Sequence, residues 1–243
     1  MSAATAIFIH GALEWGAILI GVRIYMRNAG TSLRALGMTR NFAILFGCVI
    51  GAAIGNKAVH WLYHAERWPE LVAQPWLFLS GQSIVGGLLG GLIGVEIGKK
   101  IAGVTESTGD RFVVPILLGL IIGRIGCFLA GLYDDTYGVP TSLPWGIDFG
   151  DGIRRHPTQL YEIMFAVLLW IVLARNRVSL AREPGLQFKL LLAAYLLWRL
   201  VIDSLKPVPY AFIGGLSGIQ LVCAVALVLY LPLVARQLAR LRS

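Results

Sequence analysis

The chain is poor in charge. Asp, Glu, Lys and Arg make up 14% of its 243 residues, against about 25% in an average globular chain. A soluble domain of this length would need more polar surface than that. Cysteine is also scarce, and Cys48, Cys127 and Cys223 lie far apart in apolar segments. That excludes a disulfide framework and gives no zinc-ligand spacing, so neither a metal nor a cofactor is expected. The net charge of +8 is not gathered into one basic patch. It sits at helix ends, where membrane orientation and anionic lipid surfaces call for it, so no nucleic acid partner is expected. No cleavable signal peptide is expected, because the first apolar run carries Glu14 and Arg23 and no small-residue cleavage site follows. No self-similar halves are evident, which weighs against a transporter.

What the chain has is apolar length. Hydrophobic residues make up 57%, and runs of about 20 residues recur, the length needed to cross a bilayer core. Seven spans are expected, at 5–26, 42–63, 77–98, 112–132, 157–174, 186–205 and 211–235. The fold class is therefore all-α, a polytopic membrane protein forming a single integral-membrane domain over 1–243. Basic residues cluster after the first, third, fifth and seventh spans, at Arg27, Arg34, Arg40, Lys99, Lys100, Arg111, Arg175, Arg177, Arg236 and Arg240 among others. The bias puts the N-terminus outside and the C-terminus in the cytoplasm. The loop 133–156, with Asp134, Asp135, Asp148 and Asp151, is then extracytoplasmic.

Lys57, Arg124 and Arg199 fall inside expected spans. A cation deep in hydrocarbon costs at least about 2.5–3.5 kcal/mol on insertion scales, so it faces a partner or a wet cavity. Three of them suggest an anion site. The plainer reading is pairing across the bundle with Glu14, Glu96, Glu162 or Asp203. Tyr195, Arg199 and Asp203 recur every four residues, and Lys206 extends that stripe. Gly47, Gly51 and Gly55, and Gly86, Gly90, Gly94 and Gly98, repeat every four residues, a spacing for close helix packing. Gly119, Gly123, Gly126 and Ala130 suggest the same around Arg124. Ser80-Gly81-Gln82-Ser83 is a polar stretch that a broken helix could aim at an anion. Cys127 reads as a small hydrophobe, and against a nucleophile, because no base can be placed beside it from sequence. Arg154 and Arg155 can meet lipid headgroups. His156 precedes Pro157, which suits a first helical position, and Gln159 and Glu162 share a helix face.

Gly-Arg-Ile-Gly-Cys-Phe at 123–128, His-Pro-Thr-Gln-Leu-Tyr-Glu at 156–162, Tyr195 with Arg199, Ser-Ile-Val-Gly-Gly at 83–87 and Gly-Asn-Lys at 55–57 resemble, in order, segments of the prolipoprotein diacylglyceryl transferase family. The seven-residue His-Pro motif is the most specific. Departures fall at Val85, where the family has its motif histidine, at Cys127, where it has Asn, and at Ala130 and Leu132, where a later Asn and Glu stand.

The resemblance implies an enzyme of the bacterial cytoplasmic (inner) membrane, working among membrane lipids. The donor is phosphatidylglycerol and the acceptor is the lipobox cysteine of a prelipoprotein; glycerol phosphate leaves. Arg124 and Arg199 are expected to clamp the phosphate and Tyr195 to orient the headgroup. Lys57 would add field, and Glu162 would hold an arginine in place. Gln159, Tyr161 and Gly138 complete the expected lipid-binding set. His156 is either the base or a helix cap. Two alternatives stay open: a divergent paralogue that uses the same anionic lipid with another acceptor, and a lipid-binding or lipid-moving protein without chemistry.

Overall fold

The computed structural model describes residues 3–36 and 38–242. The side chain of Arg34, used above for orientation, lies outside the described residues. The described chain is helical with one small hairpin. In order come α1 (Ala3–Leu36), α2 (Met38–Tyr63), α3 (Trp68–Ala73), α4 (Ile84–Ala102), α5 (Val113–Ala130), β1 (Ile147–Asp148), β2 (Arg154–Arg155), α6 (Thr158–Arg175), α7 (Arg177–Leu180), α8 (Leu186–Ile202) and α9 (Gly218–Arg242).

Among the described residues, five helical stretches, 4–27, 39–63, 109–134, 158–175 and 218–241, are long and apolar enough to cross a membrane. The other two expected spans correspond to α4 and α8. α4 carries Glu96, Lys99 and Lys100 near its end, and α8 has 17 residues before a 3-10 turn at Asp203–Leu205 takes over. Large apolar side chains such as Phe8, Trp15 and Leu229 stand exposed on the helix surfaces. A soluble fold would bury them; a bilayer solvates them. The protein is an all-α polytopic membrane protein.

Several boundaries differ from expectation. The third span does not begin at 77: Pro75–Leu79 is a 3-10 turn, and Gly81 takes a positive φ of 68° before α4 starts at Ile84. Pro157 is the N-cap of α6 rather than its first residue. The last span starts at Gly218, because Gly214 and Gly215 hold positive φ and Ser217 caps α9. Gln220 accepts the Ser217 N–H while its own N–H donates to the Ser217 hydroxyl, a reciprocal cap that fixes where α9 begins.

The glycine ladders pack as expected, α2 against α4 in antiparallel register. A Cβ on Gly47, Gly51 or Gly55 would run into the carbonyl oxygen of Gly94, Gly90 or Gly86 respectively. Gly51→Ala should therefore push α2 and α4 apart, at about 1–3 kcal/mol for overpacking. The check is a thermal melt of purified protein in detergent, in which Gly11→Ala, whose Cβ meets nothing within 4 Å, should melt with wild type. Around Arg124 the expectation holds only in part. Gly126 sits against Leu13 and His10 of α1, while a Cβ on Gly119 or Gly123 would meet open space.

Candidate active site

α5, α6 and α8 bring their polar residues to one buried point. α5 packs on α6, and α6 and α5 both reach α8. Glu162, fully buried on α6, is the centre. The Arg124 Nη2 donates to Glu162 Oε1 at 3.2 Å, and its Nε lies 2.8 Å from Oε2. The Tyr195 hydroxyl donates to the same Oε1 at 2.8 Å. Arg199 Nη1 stands 3.9 Å from Oε2, while its Nη2 donates to Asp203 Oδ1 at 2.6 Å. The Ser217 hydroxyl at the cap of α9 reaches Asp203 Oδ2 at 3.5 Å. The stripe Tyr195–Arg199–Asp203 and the motif glutamate are thus one network.

That network has capacity left over. Arg124, Arg199 and Lys206 are all buried, and they face two carboxylates, Glu162 and Asp203. With the lysine protonated the cluster is one positive charge in excess. Burial, with Arg199 and Arg124 beside it, pulls the Lys206 ammonium down to about 7. The Nε of Arg199 is buried without a hydrogen-bond partner, and so are both amide atoms of Gln159, one turn before Glu162. Buried polar groups are nearly always paired, and an unpaired one needs an explanation. An anionic, hydrogen-bonding ligand would supply both a countercharge and hydrogen-bond partners.

The other expected site residues have partners of their own. The His156 Nδ1 lies 3.3 Å from the Tyr161 hydroxyl, which also accepts from the Trp145 indole at 2.8 Å. The Gly138 N–H donates to the His156 carbonyl at 2.9 Å, and a Cβ on Gly138 would clash with His156 and the Leu205 carbonyl. Gly138 therefore lets the loop press against the ends of α6 and α8. Lys57 is not in the ion-pair network: its Nζ donates to the Gly81 carbonyl at 2.6 Å. The Ser83 N–H goes to Asn56 Oδ1 and its hydroxyl caps α4, so these groups of the polar stretch 80–83 are held by α2 and α4. Val85 is buried in the apolar core. Arg154 bonds the Gly146 and Pro144 carbonyls and Arg155 pairs with Asp151, so both stabilise the β1–β2 loop. Arg155 holds the Asp151 carboxyl below the usual carboxylate range.

The neighbours of Cys127 come from separate segments of the chain. Arg124 Nη1 lies 3.5 Å from its sulfur, and His10 and Asp134 close on it from α1 and the turn Gly131–Asp134. A cavity of about 880 Å³ lies elsewhere, between α4, α8 and α9, with Lys99, Lys189 and Tyr230 on an otherwise mostly apolar wall. It lacks the arginine cluster.

A family profile described as prolipoprotein diacylglyceryl transferase matches residues 2–236. The chain belongs to the prolipoprotein diacylglyceryl transferase family. Relatives named phosphatidylglycerol–prolipoprotein diacylglyceryl transferase agree. That of Geobacter sulfurreducens is 31% identical over 214 residues, 80% of this chain and 75% of the relative. Those of Nitratidesulfovibrio vulgaris and Bordetella parapertussis are 32% and 29% identical, over 74% and 72% of this chain and 68% of each relative. The protein is an enzyme of this transferase family, and the arginine cluster lies in the segments that carry the likeness to it.

Proposed function

We propose that this protein takes phosphatidylglycerol in a bacterial cytoplasmic membrane, crossed seven times, and transfers its diacylglyceryl group to the lipobox cysteine of a prelipoprotein. The observation that carries this reading is the excess positive charge of Arg124, Arg199 and Lys206 over Glu162 and Asp203, beside the unpartnered Gln159. The donor is an anionic phosphodiester. Its phosphate fills that excess, and the Arg forks suit its oxygens.

The reaction places its growing charge on the same phosphate. The acceptor sulfur forms a bond to the terminal glyceryl carbon, and the carbon–oxygen bond to phosphate breaks with its electron pair. Glycerol phosphate leaves with one more negative charge, balanced by the proton lost from the thiol. Fixed guanidinium groups aimed at that oxygen lower the barrier, an effect worth about 2.7–4 kcal/mol per donor. Tyr195 and Glu162 hold the guanidinium groups in position, and Gln159 bonds the headgroup. Tyr161 and Gly138 shape the loop over it. His156 takes the thiol proton, and Lys57 anchors the 80–83 segment at the rim. The experiment is incubation of purified protein in phosphatidylglycerol vesicles with a lipobox peptide and with its Cys→Ser form. The cysteine peptide should gain the mass of a diacylglyceryl group and the serine peptide should not.

Lys206 gives this reading a pH signature. A bound phosphate raises the lysine pKa above its free value of about 7. Between the two values binding takes up a proton. Affinity is then full below pH 7 and falls by up to about tenfold per pH unit above it. Glycerol phosphate titrations from pH 6 to 9 should show that slope, and Lys206→Met should flatten it.

A second reading has its own support. Cys127 and Val85 stand where the family has Asn and His, next to the arginine cluster and in the core respectively. They favour the same lipid with another acceptor. Cys127→Asn with Val85→His should raise lipobox peptide transfer under that reading and change it little under the first.

A further inference from the structure

Near the C-terminal end of α5, three donor groups from separate elements converge beside the arginine cluster. They are His10 of α1, Cys127 of α5 and Asp134 of the following turn, and their donor atoms all lie within 4.8 Å of one another. α1 packs along α5, and Gly126 faces Leu13 and His10 there. His10 Nδ1 stands 3.1 Å from Asp134 Oδ1, yet this buried nitrogen has no hydrogen-bond partner. The approach is close without the alignment of a hydrogen bond. The far sides of the ligands are fixed. His10 Nε2 lies 3.2 Å from Glu14 Oε1, and Asp134 Oδ2 accepts from the Thr136 hydroxyl.

An imidazole nitrogen, a thiolate and a carboxylate are a zinc donor set, and three protein ligands with one open position are the catalytic form of such a site. Tetrahedral zinc with bonds of about 2.0–2.3 Å puts its ligand atoms roughly 3.3–3.8 Å apart. The pocket therefore needs only a small adjustment. Glu14 behind His10 and Thr136 behind Asp134 are the outer partners that orient metal ligands. The charge also closes, since a dication is neutralised by one thiolate and one carboxylate. Without it, Glu14 and Asp134 share a single imidazole.

We propose that His10, Cys127 and Asp134 bind a zinc ion whose open fourth position takes the acceptor thiol. The acceptor half rests on the transferase reading above. Zinc deprotonates a coordinated thiol outright, and Val85 cannot supply a proton acceptor where the family has a histidine. The acceptor S–H bond breaks as the sulfur binds the metal, and its proton passes to His156. The sulfur then bonds to the glyceryl carbon, the carbon–oxygen bond breaks, and the departing phosphate collects the proton. Arg124 reaches both partners, the zinc-bound sulfur of Cys127 and the leaving phosphate. Cys127 stays a ligand throughout.

The test is elemental analysis of the full chain, purified in detergent without chelator, followed by Co²⁺ titration of the chelated protein. One zinc per chain is expected, with a thiolate-to-cobalt absorption band that disappears in Cys127→Ser and weakens in His10→Ala. Thermal melts identify any variant lost to misfolding; the wild type decides regardless. Folded wild-type protein with no zinc and no cobalt band overturns the site. So does a band that survives Cys127→Ser, because Cys48 or Cys223 would then be its source. Peptide lipidation that stops on chelation and returns with Zn²⁺ supports the thiol role, and full transfer by zinc-free protein overturns it. Stoichiometric zinc with no peptide modified under any condition upholds the site and overturns its acceptor role together with the transferase reading.

Discussion

Arg124→Ala should lower diacylglyceryl transfer by about 10²–10³-fold, the loss seen when one donor to a developing anion is removed. The guanidinium is buried and held on two sides, by both oxygens of Glu162 and by the sulfur of Cys127. It is therefore preorganised and needs no rearrangement as charge grows on the phosphate. Arg124→Lys should recover little, because an ammonium cannot reproduce a fork that meets Glu162 and phosphate together. A role in folding alone would predict otherwise. Lysine would keep the charge beside Glu162, and transfer would follow the amount of folded protein. Single-turnover rates normalised to protein that binds phosphatidylglycerol separate the two.

Glu162→Gln should have the largest effect on stability. The carboxylate accepts from Tyr195, pairs with Arg124 and stands near Arg199, all without solvent. Breaking a buried pair by removing one partner costs about 3–5 kcal/mol, because the other charge stays buried and uncompensated. The change also removes one of the two negative charges that face Arg124, Arg199 and Lys206. An anion should then stabilise the variant more than it stabilises wild type. The expected result is a large drop in melting temperature in zwitterionic detergent, partly restored by phosphatidylglycerol or glycerol phosphate. A drop that no anion restores would mean that Glu162 matters for packing alone and that the cluster does not face a ligand.

The parts of this site that were legible in the sequence are those with local periodicity. Tyr195, Arg199 and Asp203 are four residues apart, so a helix must stack them. Gln159 and Glu162 share a face for the same reason. The Gly ladders of α2 and α4 announce a close interface, though not its register. What was not legible depends on contacts between distant segments. His10 has no polar neighbour in its own helix except Glu14, and nothing in α1 says that its packing on α5 will bring it to Cys127. Asp134 reads as a loop acid until the turn after α5 folds it back. Leu77, Phe78 and Leu79 are apolar enough to continue a helix, while the positive φ at Gly81 and the Asn56 contact to Ser83 that delay the start of α4 are tertiary. Arg154 and Arg155 looked free for headgroups because their partners, the Pro144 and Gly146 carbonyls and Asp151, are set by the fold of the β1–β2 loop.

The most direct measurement uses phosphatidylglycerol labelled in its glycerol headgroup, in vesicles with purified protein and a lipobox peptide. Glycerol phosphate release should equal the thioether-linked diacylglyceryl peptide formed, with both products lowered about 10²–10³-fold in Arg124→Ala. Phosphatidylglycerol that binds but yields no glycerol phosphate and leaves the peptide unmodified would contradict the transferase reading.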